Sequence, residues 1–488
     1  MSTLTSISAS FYVGLTYGGP AVCIWGWVAV SAATLCIGLG MAELASAYPT
    51  SGGMYYCADG AAAVGAAAIG AAAVGADSSG AGGGQSSSGQ RLRLQQQPQR
   101  WQPQQWRRRR QGQQQQYRQQ QQPEQELQFR LAGKRFGPWA CWVTGWLNLL
   151  GQIAAVSAVA ALCSELTATM ITMASGLNGA EPLELNEKHH FGLFAAFMVA
   201  NALINGAGLR FLTLCTQARA QRIGAVVNLA GVVLLVIIVP AVTPVRQSAS
   251  LVFTDFETKH ANDVGIINPL YVALLGLLLP GYSYTGVDGP VHMAEEVNGS
   301  ERGPVIAILN GIGIMFVGGL AMIISLLFSM KSLESVLDES NASGGNPIPQ
   351  ARALARPLGR LPAAQLRSLS PGQRRSRPAS GPAARRALIM YDAFNDRFNN
   401  PAAGIALQII PIAASFFCLV ATTTYVSRIM FCYSRDRAVP FSSLWVRVDK
   451  RTRTPQAALW CVCTLALMLG LPMLGSDTGE TQRGVWGA

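Results

Sequence analysis

Apolar runs of about twenty residues recur along this chain, and they fix its class before any motif is considered. The first runs from Val22 to Tyr48. Others cover Trp139 to Met170, Phe191 to Leu209, Ile223 to Val242, Val305 to Met330, Ala402 to Phe431 and Ala457 to Leu474, and a further run opens at Leu270. Each suits a helix crossing a hydrocarbon layer about 30 Å thick. Only 13% of the residues are charged, against roughly 25% in soluble domains. The chain therefore reads as an all-α polytopic membrane protein with about eight full spans. Ser6 to Leu15 is semi-polar and too short to cross alone, so it reads as a partial first helix. The first residues lack the basic region and small-residue cleavage pattern of a signal peptide.

The run that opens at Leu270 does not stay helical. It continues as PGYSYTGVDGPVHMAEE, Pro280 to Glu296. Gly281, Gly286 and Gly289 are poor helix formers, and Pro290 has no N–H to give the preceding turn. Lipid tolerates broken backbone only where protein or a water-filled cavity covers it. A broken span carrying Tyr282, Tyr284, Asp288 and His292 is thus a candidate binding site. The plainer alternative is a Pro-kinked helix whose polar end already lies among headgroups.

The net charge of +12 suggests nucleic acid, but its distribution argues against such a partner. Arg91 to Arg118 and Arg352 to Arg386 hold eight and nine arginines, 17 of the 37 basic residues. Both stretches are low in complexity. The first, about 57–128, opens with an Ala/Gly repeat and passes into Gln, Arg and Ser tracts. The second, about 346–390, is rich in Arg and Pro. Each reads either as a disordered insert or as retained non-coding sequence. The remaining segments are 1–56, with the partial first helix and the second helix; 129–345, helices three to seven; 391–474, helices eight and nine; and a polar tail, 475–488. The ten cysteines show no zinc or disulfide spacing and read as small core residues. No metal site is expected from the four dispersed histidines.

Short loops rich in Lys and Arg mark the cytoplasmic side. Arg210, Arg219 and Arg222 occupy one such loop, and Arg435, Arg437, Arg447, Lys450, Arg451 and Arg453 another. Both fall on one face of the predicted bundle, while the second Arg-rich insert falls on the opposite face. The sequon at Asn341 lies on the outer side and the one at Asn298 on the inner side.

Three stretches carry a family resemblance. GGPAVCIWGW followed by MAELASAYPTSGGMYY (Met41 to Tyr56) resembles the second helix of the amino acid/polyamine/organocation permeases. RLAGKRFGPWACWVTGW (Arg130 to Trp146) continues that pattern after the first insert. SRIMFCYSRDRAVPFSSLWVRV (Ser427 to Val448) is similar to the segment following the family's eighth helix. The branch most resembled holds fungal GABA, choline and amino-acid permeases and plant bidirectional amino acid transporters.

The resemblance implies a LeuT-like fold of two inverted five-helix repeats, with substrate held between unwound middles of helices one and six. It implies a secondary transporter that moves amino acids or related amines by alternating access, an activity with no covalent chemistry. On this reading Gly281, Tyr282, Tyr284, Thr285, Gly286 and Asp288 form the substrate side of helix six. Two roles are open to Asp288: pairing with a substrate amine, or taking up a proton. His292 and Glu295 fall at the gating end. Thr423 and Thr424 stand where sodium-coupled relatives place an ion, although interhelical hydrogen bonding is the commoner role for such hydroxyls. No cofactor is expected beyond a coupling proton or sodium ion. The expected partners are the small substrate and the bilayer, of the cell surface or an internal compartment such as the vacuole or Golgi. The family has twelve spans, so the chain reads as truncated. The alternative is a non-transporting permease remnant serving as sensor or partner subunit, or an incomplete gene model.

Overall fold

The computed structural model describes residues 3–47, 137–175, 183, 185–206, 213–244, 246–256, 268–294, 302–331, 389–390, 393–398, 402–449 and 454–474. The first low-complexity insert, the second up to residue 388, both sequons, the Tyr48 to Tyr56 run and Glu295 lie outside the described residues. Every regular element within them is a helix. Six helices have the length and apolarity to cross a membrane. These six are counted among the described residues; the Glu187–Gly206 helix is not among them, and the interrupted Pro269–Ser283 stretch is a shorter apolar helix.

Contacts divide the chain into two units, Met54–Trp146 and the remainder. In the first, the described residues are the opening turns of a helix, where Trp142 and Trp146 approach one turn apart at 6.2 Å. All that follows concerns the second unit.

Helix α1 (Thr3–Thr16) is the hub. It packs against α2 (Gly19–Ala47), α5 (Thr213–Val242), the broken span, the helix Gly303–Ser329 and the helix Ile409–Arg435. At 1.5 Å per residue it is about 21 Å long, too short to cross alone. Its hydroxyls survive burial by bonding backward: Ser10 Oγ donates to Ser6 O at 2.8 Å and Thr16 Oγ1 to Tyr12 O at 2.9 Å. Its first turn is capped from α5, where Asn228 Oδ1 accepts the Leu4 N–H at 3.2 Å. Gly18 and Gly19, both at positive φ, turn the chain sharply into α2.

Helix α3 (Gly137–Ser175) packs Leu162 and Leu166 against Ala9 of α1 and Ile412. Helix α4 (Glu187–Gly206) presents Asn201 and Asn205 inward. A six-residue helix, α6 (Ala249–Thr254), precedes the broken span. That span comprises α7 (Pro269–Gly276), α8 (Leu278–Ser283) and α9 (Gly289–His292). Then follow α10 (Gly303–Ser329), α11 (Ala402–Leu407), α12 (Ile409–Arg435), α13 (Ser442–Trp445) and α14 (Gln456–Leu469).

Prolines explain where helices break or bend. Pro280 cannot donate to Gly276 O, and the chain leaves α-helical form at Leu277 between α7 and α8. Pro411 likewise leaves Leu407 O without its donor, and Gln408 separates α11 from α12. The run read from sequence as one span, Ala402 to Phe431, is one span with its helix interrupted at Gln408. Within α5, Pro240 frees Val236 O, and Ser325 Oγ of α10 donates to it at 3.4 Å. Neighbouring helices re-satisfy freed carbonyls in this way inside membranes.

Candidate functional site

The broken span stops being helical at Tyr284 and resumes at Gly289. Gly286 adopts φ +84°, a left-handed conformation that side chains other than glycine resist. Pro290 then opens α9, where its missing N–H is no loss. These local preferences place Asp288 and His292 one turn apart across the restart.

Both side chains are buried, Asp288 at 6% relative exposure and His292 at 0%. His292 Nε2 lies 3.2 Å from Asp288 Oδ2. Gln152 of α3 donates from Nε2 to the same Oδ2 at 3.4 Å and to Asn148 Oδ1 at 3.4 Å. Tyr425 of α12 donates its hydroxyl to Gln152 Oε1 at 2.7 Å. The Tyr425 ring also lies over the break. A Cβ on Gly286 would meet its hydroxyl at 3.2 Å, and one on Gly289 its ring at 3.6 Å. Gln152 of α3 and His292 of α9 thus meet one carboxylate, and Tyr425 of α12 is joined to it through Gln152. Among the described residues Asp288 Oδ1 has no hydrogen-bond partner, and neither does the buried Nδ2 of Asn148.

The upstream edge is fixed from α2. Tyr284 Oη lies 2.6 Å from Ser31 Oγ, and its ring packs on Trp27 at 5.7 Å between centroids. Trp27 is fully buried against Gly319 of α10 and donates Nε1–H to Phe316 O at 3.3 Å.

The structure brings Tyr284, Gly286, Asp288 and His292 into one cluster. Tyr282 is half-buried, while Gly281 and Thr285 are exposed on the rim. Thr285 Oγ1 reaches back to Gly281 O at 3.5 Å. Thr423 and Thr424 sit elsewhere, facing α4. Thr423 Oγ1 accepts from Asn201 Nδ2 at 2.9 Å, and Thr424 Oγ1 donates to Asn205 Oδ1 at 2.8 Å. The Asn205 Nδ2 donates in turn to Asn201 Oδ1 at 2.9 Å. Their polar atoms are engaged in an interhelical ladder. Sequence reasoning missed Tyr425, Ser31 and Trp27 as neighbours of the break.

A buried, non-helical segment within a span, with a carboxylate and histidine at its restart, is the kind of broken backbone that membranes tolerate only where protein or a cavity covers it. The family comparison agrees. The amino acid permease family model matches residues 131–355 and 380–481, and the chain belongs to that family. It is a multi-pass integral membrane transporter, not an enzyme. The chain is 28% identical to the rice (Oryza sativa subsp. japonica) amino-acid permease BAT1 homolog over 476 residues, 98% of this chain and 69% of that one. It is 23% identical to the Saccharomyces cerevisiae GABA-specific permease over 98% of its own length and 62% of that permease. Likeness to the S. cerevisiae choline transporter is 26% over 232 residues, 48% of this chain and 32% of the transporter.

Proposed function

We propose that the protein carries amino acids or related small amines across its membrane by alternating access, with substrate seated at the Tyr284–Asp288 break. The observation that carries this reading is the meeting of α3 and the interrupted span at Asp288, braced by Tyr425 of α12 through Gln152, with Oδ1 of the carboxylate left open. A carboxylate at bilayer depth costs about 2.5–3.5 kcal/mol or more, so its retention calls for a partner with complementary charge. The names of the relatives, an amino-acid permease homolog, a GABA-specific permease and a choline transporter, share an amine-bearing solute.

The geometry supports a division of roles. Asp288 receives the substrate amine, and backbone groups of the break that its turn hydrogen bonds do not use, such as the Gly286 and Val287 N–H groups, meet the substrate's other polar end. His292 holds Asp288 in place and occupies the gating side. A proton or sodium gradient drives the movement, and dissipating each in turn assigns the ion. Thr423 and Thr424 support the α4–α12 packing rather than the ion.

The test is uptake into proteoliposomes of the purified chain, using labelled amino acids, γ-aminobutyrate, choline and polyamines. Saturable accumulation of at least one, competed by its unlabelled form, supports the reading. Saturable binding without accumulation contradicts it and points to a sensor.

A further inference from the structure

The two donors reaching Asp288 use the same oxygen. His292 Nε2 and Gln152 Nε2 both face Oδ2, at 3.2 and 3.4 Å. Oδ1 has no partner among the described residues, although the residue is more than nine-tenths buried. The orientation of the Gln152 amide is itself set. Tyr425 Oη–H donates to Oε1 at 2.7 Å, which turns the NH2 end toward the carboxylate. Reversed, the amide would set its carbonyl oxygen against an acceptor. Tyr425 lies in turn over Gly286, where an added Cβ would crowd its hydroxyl, and within ordinary contact of Gly289.

Resting on the transport reading above, we infer that Gln152 and Tyr425 form a selectivity strap that saturates Oδ2 of Asp288 and leaves Oδ1 to accept one N–H of a substrate ammonium. The site then discriminates between ammonium groups that keep an N–H and quaternary ones that have none. A primary ammonium satisfies the open lone pairs of Oδ1 with a directed, charge-assisted hydrogen bond. A trimethylammonium group brings the same charge but no donor, and its methyl groups hold the charge further away. Buried polar groups left unpaired by the wrong substrate are the strongest source of discrimination available to a binding site. A fully enclosed aromatic cage would reverse the preference. Of the aromatic groups beside the break, Trp27 is buried against Gly319, while the hydroxyls of Tyr284 and Tyr425 are tied to Ser31 and Gln152. The buried Nδ2 of Asn148, one turn from Gln152 on α3, is also without a partner among the described residues.

The experiment compares γ-aminobutyrate with its N-trimethyl analogue in proteoliposome uptake, for the native chain, Gln152→Leu and Tyr425→Phe. In the native chain the primary amine is expected to have a KM about tenfold lower than the trimethyl analogue. In Tyr425→Phe, which changes only a hydroxyl, the KM for the primary amine rises toward that of the analogue. The analogue's KM rises by a smaller factor than that of the primary amine, so the ratio of the two falls toward one. Gln152→Leu gives the same pattern, and thermal unfolding of each variant in detergent separates it from misfolding. Equal effects on both solutes, or none, overturn the strap while leaving the transport reading intact. Uptake of neither solute nor of any member of the wider panel by the native chain overturns the transport reading and the strap with it.

Discussion

His292 Nε2 lies 3.2 Å from Asp288 Oδ2, one helical turn away and on the far side of the point where the broken span resumes. The pair is buried, and the residues between are Gly289, Pro290 and Val291, a glycine that permits the restart and a proline that opens it. The carboxylate is therefore anchored by the short helix it precedes. Replacing His292 by Leu removes a buried donor and leaves Oδ2 to Gln152 alone. The expected cost is about 1–3 kcal/mol of stability, read as a lower unfolding temperature in detergent, together with loss of amine uptake.

Tyr284 and Ser31 join the upstream edge of the break to α2 through a 2.6 Å contact. Hydrogen bonds between membrane helices average about 0.6 kcal/mol in double-mutant cycles. A cycle of Ser31→Ala and Tyr284→Phe should give a coupling energy of about 0.5–1.5 kcal/mol, since the Trp27 ring contact survives both changes. Strict additivity of the two single variants would show that the contact does not hold the edge.

Glycines in this bundle differ in what surrounds them. A Cβ on Gly319 would run into the Trp27 indole, and one on Gly276 would strike the Tyr17 carbonyl, whereas Gly40 has open space around it. Gly319→Ala and Gly276→Ala should each destabilise by about 1–3 kcal/mol. Gly40→Ala should be neutral or stabilising by up to about 1 kcal/mol, as expected of a helix interior. Gly286→Ala combines the strain of φ +84° with crowding by Tyr425. It should impair uptake more than it lowers the unfolding temperature.

Thr424→Val keeps the shape of the side chain and removes the donor to Asn205 Oδ1. The expected result is a modest fall in thermal stability, about 1 kcal/mol, with the ion dependence of uptake unaltered. A changed sodium dependence would instead place Thr424 in a coupling site.

The break was legible because its cause is local. Three glycines and a proline inside an apolar run disfavour helix whatever the rest of the chain does, and Tyr284 to Asp288 is non-helical as that argument requires. The partners of the break were not legible, because side-chain pairing across helices depends on packing between residues far apart in sequence. Gln152 lies 136 residues from Asp288 and 273 from Tyr425. Within its own run Tyr425 is simply an aromatic residue on a span. The same limit applies to Thr423 and Thr424, whose hydroxyls fit an ion site or an interhelical bond equally well until Asn201 and Asn205 are seen opposite them. The interruption at Gln408 was available from Pro411, whose absent N–H leaves a carbonyl open one turn back. The strong apolar character of the run concealed it.

The central claim is that Asp288 receives the amine of the transported solute. Its most direct test is the Asp288→Asn variant in proteoliposomes, compared with the native chain for the best substrate of the panel. The amide preserves volume and can still meet His292 and Gln152, so unfolding temperature should change little. Uptake of the amine should fall at least tenfold, the effect of losing a buried charge-assisted hydrogen bond of about 1.5–3 kcal/mol. Native-like uptake by a folded Asp288→Asn variant would contradict the account and place the substrate amine elsewhere.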